Sequence, residues 1–196
     1  VLAVLFVHAL LVYPTILAVV GRLNPFIFLA KLRPAMLFAF TTASSNATIP
    51  VTLETVVKKV GVSNKIASFT VPLGATINMD GTAIMQGIAT GFIAQYYGID
   101  LSGDQYLMVV VMVILASIGT AGVPGVGLVV LAGVLDQVGL PAEGIALILG
   151  VDRLLDMTRT VVNITGDSMV TTIVAKSEGE LDLEVFGDPR AGQDFE

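Results

Sequence analysis

Two apolar stretches of this chain are long enough to cross a membrane, yet each is broken at its middle. Nothing else in the sequence restricts the fold as much. The first stretch covers residues 34–57 and is cut by Ser44-Ser45-Asn46-Ala47-Thr48-Ile49-Pro50. The second covers residues 105–135 and is cut at 119–127, GTAGVPGVG, which holds four glycines and a proline. Lipid offers no hydrogen bonds to the backbone groups that a break sets free. Each stretch is therefore expected to fold back as a re-entrant helical hairpin, with its tip buried in protein. Composition agrees with a membrane setting: 13% of residues are charged, against about 25% in a soluble domain. The absence of cysteine excludes disulfides and thiolate metal sites.

Basic residues give a direction. Arg22, Lys31 and Arg33 precede the first broken stretch, and Lys58, Lys59 and Lys65 follow it. Loops rich in Lys and Arg stay cytoplasmic, so the first hairpin enters from inside. Asp100, Asp104, Asp136 and Glu143 flank the second, which enters from outside. The predicted order is helix 1–21, hairpin one 25–60, helix 64–98, hairpin two 105–136 and helix 141–176. The two hairpins are related by inversion, an arrangement typical of secondary transporters. The chain begins at Val1, inside an apolar run, and is expected to be a piece of a longer protein. Residues 178–196 carry seven acids and Arg190, which accounts for the net charge of −6. The segment 177–196 is expected to be a flexible, solvated, cytoplasmic tail.

The last crossing carries a polar stripe. Asp152, Asp156, Arg159, Thr160, Asn163 and Asp167 fall within an arc of roughly 100° on a helix. Ionisable groups at membrane depth mark a path or a site. Asp156 and Arg159, three apart, can neutralise each other. Alternatively, Arg159 suits a substrate carboxylate through its planar fork, Asp156 suits an ammonium, and Asn163 with Asp167 suits a cation. The run Gly74-Ala75-Thr76-Ile77-Asn78-Met79-Asp80-Gly81-Thr82 does not favour an unbroken helix. An unwound turn there would offer oxygen donors for a hard cation such as Na⁺, with Asn78 and Asp80 beside it. The first hairpin tip presents hydroxyl and N–H groups suited to a carboxylate, and the glycines of the second suit a moving lid. His8 reads as a packed or interfacial residue. No phosphate loop, zinc motif, nucleophile–base set or basic aromatic patch is present, so neither an enzyme nor a nucleic-acid binder is expected.

The motifs SSNATIP, NMDGT, GTAGVPG and DMTRTVVNITGD occur in this order. Together they resemble the glutamate/aspartate transporter family, the dicarboxylate/amino acid:cation symporters, over residues 1–176. The resemblance implies an all-α, elevator-type transport domain in the cell membrane, a homotrimer in the full-length protein, and hairpin two as the outer gate. It implies sodium-coupled symport of acidic amino acids. Within the same fold, a C4-dicarboxylate or neutral amino-acid carrier is the alternative; an anion-conducting channel or a non-transporting membrane element is another. By motif position, substrate would contact Ser45, Thr82, Val123, Gly127, Asp156, Arg159, Thr160 and Asn163. One sodium site would use Gly74, Asn78, Asn163 and Asp167. A second would use Thr76, Ser117, Ile118 and Thr120, and a third Asn78 and Asp80. Members commonly carry a further arginine beside the substrate, where this chain has Ala43 or Met157; Arg153 stands one turn away. Asn46 and Ala47 vary the serine-rich tip.

Overall fold

The computed structural model describes residues 1–192. Residues 193–196, the end of the expected tail, lie outside the described residues. Every regular element described is helical. Helix α1, Leu2–Val19, is the one described helix both long and apolar enough to cross a membrane alone. Its turn His8–Val12 is widened, so that the Tyr13 N–H bonds the His8 carbonyl five residues back. Pro14 follows immediately. It has no N–H to give and crowds the preceding turn, which a widened turn accommodates. Tyr13 and His8 end on one side of α1, their rings 4.5 Å apart edge to face.

Helices α2 (Pro25–Thr42) and α3 (Ser45–Thr55) form the first hairpin. The Asn24 side chain caps α2, accepting from the Phe26 and Ile27 N–H groups. Ala43, at φ 51°, ends it. Ser44 caps α3 by accepting the Ala47 N–H. The interruption is thus two residues, tighter than the seven-residue polar run suggests. Pro50 lies within α3, which continues through a widened turn, Val56–Val60, to Gly61 at φ 90°.

Helices α4 (Asn64–Ile77) and α5 (Asp80–Tyr96) follow, with only Asn78 and Met79 between them outside helical geometry. Helices α6 (Gly103–Ser117) and α7 (Val126–Gln137) form the second hairpin. A reciprocal bond pair between Ser102 and Gln105 starts α6. Gly119 and Gly125, at φ 84° and 77°, turn the tip. Helix α8 (Ala146–Ser177) has 32 residues, about 48 Å at 1.5 Å per residue. It packs against α2, α4 and α5.

The polarity of the fold is reversed relative to a soluble domain. Along α8, Asp152, Asp156, Arg159, Asn163, Asp167 and Thr171 are buried. Phe6, Leu10 and Leu11 of α1 and Leu107, Val110 and Leu115 of α6 are exposed. Two apolar clusters flank the buried polar stripe. One joins α1, hairpin one and α4 to Val162, Met169 and Ala175 of α8. The other joins α5 and hairpin two to Ile148.

The C-terminal segment corrects the expectation of a solvated tail. A short helix α9, Leu183–Gly187, follows a bridge between Val62 and Leu181. Phe186 is buried in the first cluster. The Lys31 ammonium, itself buried, donates to the carbonyls of Lys59, Val185 and Asp188 at 2.6, 2.8 and 2.7 Å. Lys65 pairs with Glu180 at 3.2 Å. The segment's acidity masked one aromatic anchor and a set of main-chain acceptors, which hold it against hairpin one.

Candidate functional site

The two hairpin tips meet. The Asn46 N–H donates to the Gly122 carbonyl at 3.1 Å, and the Ser44 hydroxyl donates to the same oxygen at 2.6 Å. A Cβ on Gly122 would lie 2.8 Å from Asn46 Oδ1 and 3.0 Å from Ser45 Cβ. Only a glycine allows the tips to approach this closely.

Beneath the tips is a nearly closed cavity of about 10 Å³. All eight residues expected to contact substrate line it: Ser45 from hairpin one, Thr82 from α5, Val123 and Gly127 from hairpin two, and Asp156, Arg159, Thr160 and Asn163 from α8. The volume is about the room of one water, so the side chains lining the cavity nearly fill it. Ala43 also lines the cavity. Arg153 does not; it reaches across to the Thr41 carbonyl at 3.5 Å.

Arg159 dominates the cavity. It is 2% exposed, and its guanidinium lies flat against Gly127, where a Cβ would come within 2.7 Å of Nη1. Nε donates to Asp156 Oδ1 at 3.0 Å. Nη2 lies 2.9 Å from the same oxygen, and Nη1 3.6 Å from Asp152 Oδ1. Neither Nη1 nor Nη2 completes a hydrogen bond of good geometry, and both are buried. Asp156 and Arg159 are therefore paired here, as the simpler sequence reading allowed. Asp156 also accepts the Gly125 N–H at 2.7 Å, tying α8 to hairpin two. Asp152, which has no role in the sequence reading, is the second counter-charge of Arg159.

The residues expected to hold sodium separate into neighbourhoods. Asn78 Nδ2 donates to Asp167 Oδ1 at 2.9 Å. Gly74 lies against the same carboxylate, with 2.7 Å between an added Cβ and Oδ1. Asn163, one turn away on α8, accepts the Gly81 N–H at 2.8 Å and donates to Thr82 at 3.4 Å. The Thr76 carbonyl accepts the Gly119 N–H at 2.9 Å. That bond brings α4 to the strand of tip that holds Ile118 and Thr120. The side chains of Ser117 and Thr120 turn to the carbonyls of Ile114 and Ala116. The Tyr13 hydroxyl and Asn78 Nδ2 both lie against Gly166, and Asp80 accepts from Tyr13 at 2.9 Å, with His8 Nε2 3.3 Å away. The widened turn of α1 sets up this contact, and hydrophobic periodicity carries no sign of it. Gln86 was also missed; it is fully buried and donates to the Gly127 carbonyl at 3.2 Å. A lone glutamine in an apolar helix was the available signal.

Four elements thus converge on one buried charge, and the motifs that bring them together span most of the chain. The model of the sodium:dicarboxylate symporter family matches residues 1–177. The chain belongs to this symporter family. It is 48% identical over 183 residues to excitatory amino acid transporter 3 of Mus musculus, covering 93% of this chain and 35% of that protein. It is 44% identical to an excitatory amino acid transporter of Caenorhabditis elegans over 183 residues, 93% of this chain and 36% of the relative. With excitatory amino acid transporter 2 of Homo sapiens it shares 43% over 193 residues, 98% and 33% of the two chains. The chain thus spans about a third of the length of these relatives.

Proposed function

We propose that the chain forms the substrate-handling part of a sodium-coupled symporter for acidic amino acids. The observation that carries this reading is the state of Arg159. A buried guanidinium with two terminal nitrogens short of hydrogen bonds suits a carboxylate that accepts from both. Substrate would take over Nη1 and Nη2 from Asp152 and Asp156. Asp156, freed on one side, would receive the substrate ammonium. Thr160, Thr82 and Asn163 line the space between them, and the N–H groups of the tips suit the second carboxylate.

Sodium is the co-transported ion in this reading. Asp167, with Asn78 and the Gly74 backbone against it, supplies hard oxygen donors. The Thr76 carbonyl with the Ser117–Thr120 segment offers a second group, and Asp80 with Asn78 a third that draws on segments outside this chain. Hairpin two acts as the gate, because Asp156 and Thr76 each hold it by one main-chain N–H. In the whole protein, residues 1–176 are part of the moving domain of a homotrimer, with hairpin one opening inward and the C-terminal segment cytoplasmic.

The test is uptake of labelled aspartate by the full-length protein in lipid vesicles under an imposed sodium gradient. Concentrative, sodium-dependent uptake is expected. Uptake no greater than that of empty vesicles would overturn the proposal. Competition by succinate or serine separates the dicarboxylate and neutral amino-acid carriers from the acidic one. Substrate-independent current without accumulation would identify a channel.

A further inference from the structure

The base of hairpin one holds a second cavity, about 480 Å³, between the start of α2, the end of α3 and residues 188–192. Its lining divides into two kinds. Phe26, Ile27 and Pro34 give an apolar wall, and Phe26 is 80% exposed. Arg33 and Lys59 give two cationic groups. Arg33 is exposed and Lys59 half-buried, and neither side chain has an ion pair or hydrogen bond among the described residues.

The neighbouring side chains have other bonding partners. Lys31 also borders the cavity, but its three donors go to three main-chain carbonyls. Glu54 is bonded to Lys58 at 2.8 Å and Glu180 to Lys65 at 3.2 Å. The Asp188 carboxylate accepts the Arg190 N–H at 2.9 Å. Among the described residues, two cations without an ion pair thus stand beside an exposed aromatic and a short apolar wall. This end of the molecule also carries Arg22, Lys58 and Lys65, the end that the positive-inside rule assigns to the cytoplasm. The cytoplasmic leaflet is the anionic one, and basic pockets between helices on that side hold lipid head groups.

We propose that Arg33 and Lys59 bind the phosphate of an anionic phospholipid, whose acyl chain lies along Phe26, Ile27 and Pro34. The C-terminal segment, held by Lys31, forms the far wall through Pro189 and Ala191. The site rests on the membrane orientation proposed above but not on which solute is carried. Lipid binding and solute uptake therefore fail separately.

The experiment uses the purified full-length protein and native mass spectrometry with added phosphatidylglycerol or phosphatidylcholine. Phosphatidylglycerol adducts are expected to survive activation at least threefold better than phosphatidylcholine adducts, and this preference is lost in R33Q/K59Q. It is retained in R22Q/K58Q, which removes the same charge from the same side. Excess glycerol phosphate leaves the adducts in place. Equal retention of the two lipids, no effect of R33Q/K59Q, or displacement by glycerol phosphate or an acidic peptide would overturn the proposal. A second measurement needs no substitution. Amine acetylation of Lys59 is expected to slow at least threefold in phosphatidylglycerol/phosphatidylcholine vesicles relative to phosphatidylcholine alone, with Lys58 unaffected. Equal rates at Lys59 would overturn it as well.

Discussion

Asn46 and Gly122 join the two hairpins main chain to main chain, the Asn46 N–H donating to the Gly122 carbonyl at 3.1 Å. The contact closes the cavity over Arg159 and needs no Cβ at position 122. Gly122→Ala would push a methyl group against Asn46 Oδ1 and Ser45 Cβ. The expected outcome is a loss of about tenfold in substrate affinity, which is about 1.4 kcal/mol, in the full-length protein. Isothermal titration with aspartate checks it, and unchanged affinity would show that the tips close some other way.

Arg159→Ala removes the cation that, among the described residues, pairs with Asp152 and Asp156. Truncating one partner of a buried charge pair costs about 2–5 kcal/mol. Affinity for aspartate should fall about 30-fold or more, whereas affinity for a neutral amino acid should fall far less. Competitive uptake with labelled aspartate and serine reads both. Equal losses for the two solutes would remove Arg159 from the role of carboxylate partner.

Gly166→Ala tests the sodium side. Its Cβ would sit 2.5 Å from the Tyr13 hydroxyl and 2.8 Å from Asn78 Nδ2, displacing the groups that position Asp80 and Asp167. The sodium concentration for half-maximal uptake should rise by about tenfold, equivalent to about 1.4 kcal/mol. Gly150→Ala is the control, since nothing lies within 4 Å of an added Cβ there. It should leave sodium dependence unchanged.

Glu180 gives a pH prediction outside the membrane. A hydrogen bond from Ser63, then the bond and charge of Lys65, hold its carboxyl below the ordinary range. A depressed acid supports the fold above its unfolded-chain value, and that support is lost as pH falls through the folded-state value. The C-terminal segment should therefore loosen on acidification below the usual glutamate range. A spin label on Glu184→Cys would report it as increased mobility. With Glu180→Gln added, that acid-induced step should disappear; a step of unchanged size would assign the loosening to another group.

The two helical pairs were legible in the sequence because a polar or glycine-rich break cuts each apolar stretch into two. The stripe on α8 was equally plain, since the period of a helix puts those residues on one face. The length of each interruption was not. Ser45 to Pro50 looks like a loop by composition, yet Ser44 supplies a cap and the helix starts at once. The pairing of Tyr13 with Asp80 depends on one extra residue in a turn of α1, which a 3.6-residue period does not anticipate. The choice between Asp156 as partner of Arg159 and Asp156 as a group awaiting an ammonium was open at the level of spacing. The structure shows the pair, with Asp152 added. The C-terminal acids concealed Phe186 and the carbonyls that Lys31 binds.

The interruption at Asn78 and Met79 brings two helix ends of opposite partial charge next to each other. The last turn of α4 offers partial negative charge, which the Thr76 carbonyl turns toward hairpin two. The first turn of α5 offers partial positive charge, which the Gly81 N–H turns toward Asn163. Each end is equivalent to roughly half an elementary charge. Two residues of irregular backbone thus give the site a fixed electric gradient of both signs. It has no protonation state and no rotamer, so it does not change with pH or with side-chain motion.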